Sequence, residues 1–136
     1  MAVTVRIFKP SLDALINDPN GPVVSHQARI GRQVAALAKI KAPKDTGRLR
    51  DSISSRITRV GNTTTVKVVA DAPHAVFVYR GNRAHWPPIG AMQGWALRHG
   101  MSAYQAAFGV ARKARPPNRF LLDAARQQGL DAREVK

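Results

Sequence analysis

The feature that most constrains the fold is a single change of period. Over residues 25–41 apolar side chains recur at helical spacing, and from residue 53 they alternate in twos. In the first stretch Ile30, Val34, Leu37 and Ala38 fall at i, i+4, i+7 and i+8 and make one stripe. Arg29, Arg32 and Lys39 lie opposite it. Pro43 ends the helix, because proline disfavours the helical conformation in the residue before it. Residues 53–60 and 63–71 then read as two strands. Gly61-Asn62 between them suits a two-residue hairpin turn with glycine first. Val66, Val68 and Ala70 share one strand face, and Lys67 and Asp71 take the other. This order predicts an α+β fold: a small, mostly antiparallel sheet packed with one long helix and several short C-terminal helices.

The flanking segments follow from turn chemistry. Pro43, Asp45, Thr46 and Gly47 form a structural turn between helix and sheet, in which the Asp and Thr side chains bond nearby amides, Thr46 caps a helical turn over 48–52, and glycine removes steric objection. Upstream, residues 2–8 alternate as a strand, and residues 11–18 form a short helical turn capped by Ser11. Asp18-Pro19-Asn20-Gly21-Pro22 breaks the chain into a loop. Downstream, residues 74–79 are a strand or a single turn, and residues 80–88 are a Gly-, Asn- and Pro-containing loop. A helix follows over 89–99, with Ile89, Met92 and Ala96 aligned. Ser102 caps another running to about residue 114, with Tyr104, Ala107, Phe108 and Ala111 on its packed side. Pro116-Pro117 separates a last helix over 118–128. At 136 residues and without repeats, the chain reads as a single domain. Residues 1–24 form an N-terminal strand and loop, and residues from 129 a frayed tail.

Charge narrows the chemistry. Lys and Arg total 22 against 8 Asp and Glu, a formal net charge of +14. Such a surface favours anionic partners. Arginine outnumbers lysine 15 to 7, which suits fixed bidentate contacts at interfaces. Between Ala72 and Leu122 there is no acid at all, so that stretch holds no carboxylate cluster for two-metal catalysis. There is no cysteine, and His26, His74, His85 and His99 have no partner at helical ligand spacing. No nucleophile elbow or phosphate-binding glycine loop occurs. The expectation is a non-enzyme without metal or cofactor, without a small-molecule substrate and without a membrane span or secretory leader. Aromatic residues are 6%, too few for a stacking platform along single-stranded nucleic acid, so any contact with DNA is expected at the backbone and without sequence preference.

Three blocks add a resemblance. Ala42, Pro43, Asp45, Thr46, Gly47, Leu49, Ser52 and Ile53 match an Ala-Pro-x-Asp-Thr-Gly-x-Leu-x-x-Ser-Ile block that follows a long first helix. His74 to Asn82 is similar to a Tyr-Ala-x-x-Val-Glu-x-Gly-Thr block through Ala75, Val78 and Gly81, with Tyr79 and Asn82 in place of the Glu and Thr. Pro116-Pro117-Asn118-Arg119-Phe120-Leu121-Leu122-Asp123-Ala124 resembles a Pro-x-Pro-Phe-Leu-x-x-Ala ending with one extra residue. In order and spacing, residues 25–128 resemble the head–tail joining or tail-completion proteins of siphovirus-type bacteriophages. Residues 88–114 look like a helical insertion before that ending.

The resemblance implies a structural virion protein of the neck or upper tail, assembled in the host cytoplasm. It implies homo-oligomeric rings and neighbouring neck and tail proteins as partners. The alternative is a basic nucleic-acid-binding module or a small metal-independent ribonuclease, with Tyr79, Arg80, Arg83 and His85 stabilising charge on a phosphate. The interface candidates are Arg29, Arg32 and Lys39 on the long helix, Arg80, Arg83 and Trp86 in the loop, and Arg115 and Arg119 near the double proline. Trp86 reads either as a docking anchor or as a staple onto the following helix.

Overall fold

The computed structural model describes residues 15–16, 18, 20–61 and 63–131. The strand expected over 2–8 lies outside them. So does most of the 11–18 turn, of which Leu15 and Ile16 are helical, and the tail beyond residue 131. The chain divides into two compact units. One holds the described residues up to Ala72 and those from Phe120, and the other is Pro73–Arg119.

The first unit is α+β. Helix α1 (Pro22–Lys41) begins three residues before the expected start. Pro22 sits in its first turn, where a missing N–H costs nothing, so this proline opens the helix and belongs to no loop. Its buried face is Val24, Gly31, Val34, Ala35 and Ala38. The stripe is therefore rotated from the expected one, and Ile30 and Leu37 are only half-buried. The cause is close approach: a Cβ at Gly31 would lie 2.4 Å from Val66 Cγ1 of the hairpin. Only small side chains let the helix lie there.

A one-turn helix, α2 (Arg48–Asp51), precedes the hairpin. Its N-cap is Gly47 at φ +88°, with no side-chain cap bond, so the cap expected from Thr46 falls on the glycine. Asp51 N–H donates to Gly47 O at 2.9 Å, and Ser52 Oγ donates to Leu49 O at 2.7 Å. Strands β1 (Ile53–Val60) and β2 (Thr63–Ala70) pair antiparallel, from Ile53 opposite Ala70 to Val60 opposite Thr63. Among the described residues the sheet has these two strands. An Arg56–Asp71 ion pair joins the strands near the base. The base is buried through Ile53, whereas Ile57 and Val60 toward the tip are exposed.

The last helix of this unit, α6 (Phe120–Gln127), starts two residues later than expected. It packs on α1 through Phe120, Leu122 and Ala124, and Phe120 is wholly buried. Gly129 N–H to Arg126 O (2.9 Å) and Leu130 N–H to Ala125 O (3.2 Å) close it as a Schellman cap. Helix α1 thus contacts both the hairpin and α6.

The second unit is helical: α3 (Ala75–Arg80), α4 (Ile89–Arg98) and α5 (Ala103–Arg112). The segment left open as strand or turn is α3. Helices α4 and α5 pack together. Gly100 at φ +67° ends α4 with Met101 N–H bonded to Ala96 O at 3.0 Å, another Schellman cap. Ser102 then caps α5 as expected, within a full capping box. Ser102 Oγ accepts from Gln105 N–H at 3.2 Å, and Gln105 Oε1 accepts from Ser102 N–H at 3.0 Å.

The loop after α3 is clasped by the extended segment before α6. Asn82 N–H donates to Arg115 O (3.1 Å) and Arg115 N–H to Asn82 O (2.8 Å), while Asn118 N–H reaches Val78 O (3.1 Å). Gly81 makes the clasp possible. It has φ +75° and ψ 172°, and a Cβ there would meet Arg115 O at 2.5 Å and Pro117 N at 2.8 Å.

Candidate functional site

The second unit reverses the usual distribution of side-chain size. Its buried residues are small: Ala75, Pro87, Ala96, Ala106 and Ala107. Its large apolar residues face outward, including Phe77 (60% exposed), Trp86 (50%), Leu97 (82%) and Tyr104 (60%). Of the face expected on α5, Ala107 is buried and Ala111 half-buried, but Tyr104 and Phe108 are exposed. The helix instead packs through alanines, whose small size lets α4 and α5 approach closely.

These outward residues include an ordered ridge. Tyr104, Phe108 and Arg112 recur at i, i+4 and i+8, so they stand in one row along α5. Trp86 meets Tyr104 edge to face, with ring centroids 5.7 Å apart. The Arg112 guanidinium lies 5.2 Å from the Phe108 ring centre, at cation–π distance. Trp, Tyr and Arg are the residue types that most often carry binding energy at protein interfaces. Single exposed apolar residues are ordinary, whereas several on one helix face make a candidate contact surface.

Trp86, Arg83 and the backbone of Arg115 therefore belong to one unit, along with Arg80 at the end of α3 and Arg119 before α6. Trp86 meets Tyr104 of α5 and leaves half of its surface in solvent. Arg29, Arg32 and Lys39 belong to the first unit, on α1. Arg29 and Arg32 are exposed and Lys39 is half-buried. Arg29 donates to His26 Nδ1 at 2.9 Å. The sequence places Tyr104 and Phe108 on one side of α5, but not their exposure or Arg112 in the same row. Their i, i+4, i+8 spacing was the available signal.

His85 and His99 are engaged locally. His85 Nδ1 donates to Arg83 O at 2.9 Å, and His99 Nδ1 to Trp95 O at 2.9 Å, with the His99 ring stacked on Trp95. Among the described residues no group of three His, Cys, Asp or Glu side chains is placed to hold a metal. Among them, too, no helix is long and apolar enough to cross a membrane.

Residues 28–81 match the model of a family described as "Bacteriophage HK97-gp10, putative tail-component". The match covers most of α1, the 42–52 turn, the hairpin and α3, and stops at Gly81. It spans less than half of the chain. No curated protein and no solved structure matches. Residues 28–81 are thus similar to a family of putative phage tail components, and the α4–α5 pair lies outside the similar segment.

Proposed function

We propose that the protein is a structural component of the phage neck or upper tail that completes the tail and joins it to the head by assembling as a ring. The tail-component relationship of residues 28–81 carries this reading. The outward aromatic ridge supports it, because a chain that buries alanines and exposes Trp86, Tyr104 and Phe108 is built for contact with other subunits. Charge is consistent with it as well. An acid-free stretch between Ala72 and Leu122 meets carboxylate-rich neighbours, or DNA in the tail lumen, without repulsion.

The test is a phage in which the gene is disrupted. Negative-stain images are expected to contain filled heads and tails that are not joined, and expression of the chain in trans restores joined particles. Normal particles from the disrupted phage would rule the proposal out. Arg29→Glu with Arg32→Glu extends the test to α1. An unchanged yield of joined particles would remove this face from the interface.

A further inference from the structure

Apart from the ridge, the second unit contains a groove of about 800 Å3 between α4, α5 and the clasped loop. Met92, Trp95, Met101 and Val110 form its apolar lining. Arg83, Lys113 and Arg115 stand among its lining residues with no acid to oppose them. The volume falls in the range that takes several buried side chains. Methionines make such a lining adaptable to helical guests.

Gly109 is the informative residue. It lies inside α5 and lines the groove, and a Cβ built on it would meet nothing within 4 Å. Neither a positive φ nor a close approach demands glycine there. Glycine within a helix destabilises it relative to alanine. The gain is an unfilled groove. One wall is also fixed in advance by the Asn82–Arg115 backbone pair, which lowers the entropy lost on docking.

The chain carries one segment of complementary chemistry. Residues 11–18 (SLDALIND) hold two acids and no base, and no Lys or Arg occurs between Lys9 and Arg29. Leu12, Leu15 and Ile16 fall at i, i+3 and i+4, one apolar stripe of a short helix. Leu15 and Ile16 are helical, and they are 49% and 44% exposed.

We infer that the groove of one copy receives residues 11–18 of a second copy, with Leu12, Leu15 and Ile16 on the apolar lining and Asp13 and Asp18 toward Arg83, Lys113 and Arg115. The contact is head-to-tail, because the inserted segment and the groove are different surfaces. Such a contact closes into a ring when its rotation allows. A base of nucleic acid fits less well. Trp95 is the aromatic residue in the lining, and His99 already stacks on it at 4.1 Å.

This inference rests on the ring reading above, and the experiment separates the two. A fluorescein-labelled peptide of residues 10–20 is titrated into the full chain and followed by polarisation. Saturable binding is expected. Gly109→Leu, which fills the groove with a better helix former, weakens it about ten-fold or more while the melting temperature holds or rises. Gly109→Ala retains most of it. The peptide with Asp13→Lys and Asp18→Lys loses binding to wild type and regains it on Arg83→Glu plus Lys113→Glu. Equal binding by Gly109→Leu, or equal binding by a scrambled peptide, overturns the inference. So does preferential binding of a single-stranded oligonucleotide that Gly109→Leu abolishes. If Gly109→Leu still forms rings, the insertion is wrong and the ring reading stands. If the peptide binds but the chain neither forms rings nor enters particles, the ring reading fails instead.

Discussion

Gly81→Ala is expected to be the most damaging single-methyl change in the second unit. Gly81 occupies φ +75° and ψ 172°, a region open essentially to glycine alone, and alanine there costs about 1–3 kcal/mol. The added Cβ would also lie 2.5 Å from Arg115 O and 2.8 Å from Pro117 N. Those are backbone atoms, so no rotamer change relieves the overlap and the 115–117 segment must move. Moving it breaks the two Asn82–Arg115 hydrogen bonds, each worth about 1 kcal/mol. Together these predict a loss of about 3–5 kcal/mol, a large part of the 5–15 kcal/mol typical of a domain. The assay is urea unfolding followed by tryptophan fluorescence, which reports this unit because both tryptophans, Trp86 and Trp95, lie in it. Gly90→Ala is the control. Gly90 has open space around it within α4, so alanine should leave stability unchanged or raise it by up to about 1 kcal/mol. A Gly81→Ala variant within about 1 kcal/mol of wild type would refute the reasoning on the clasp.

Three further substitutions test the packing. Gly31→Ala gains about 1 kcal/mol of helix propensity but overpacks against Val66 for about 1–3 kcal/mol, so denaturation is expected to find a net loss near 1 kcal/mol. Adding Val66→Ala should cost less than the two changes sum to separately, and strict additivity would contradict the contact. Thr64 Oγ1 is buried without a hydrogen-bond partner, so Thr64→Val is expected to stabilise the hairpin unit by about 1 kcal/mol, and a destabilised variant would show that the hydroxyl is satisfied. Trp86→Ala removes a half-exposed ring and its Tyr104 contact, for an expected loss of about 2 kcal/mol. It should also impair head–tail joining beyond what the folded fraction explains, and normal joining by the folded variant would make Trp86 a staple alone.

Locally encoded features were legible in the sequence. The hairpin follows from two alternating runs around Gly61-Asn62, and the α5 cap from Ser102 ahead of an apolar run. The start of α1 was misplaced because Pro22 reads equally as a breaker and as a first-turn residue. What decides is whether Val24 has a partner to bury against, and the helix gains that only on packing. The face of α5 was misassigned for a related reason. Ala107 was placed inward, but Tyr104 and Phe108 outweigh Ala106 in hydrophobicity, and close packing of α4 and α5 selects the smaller side chains. The Asn82–Arg115 clasp joins backbone groups far apart in sequence and has no local signature beyond Gly81. The candidate interface arginines were legible only as types, since exposed positive charge is common.

The central claim is that this chain is a fixed part of the virion. Quantitative mass spectrometry of gradient-purified particles, normalised to the portal protein, measures it directly. The account predicts the chain at a reproducible ring-like number of copies per particle, retained through high-salt washing. Its absence from purified particles, or a trace amount that salt removes in proportion to bound DNA, would contradict the account and favour a free basic nucleic-acid-binding protein.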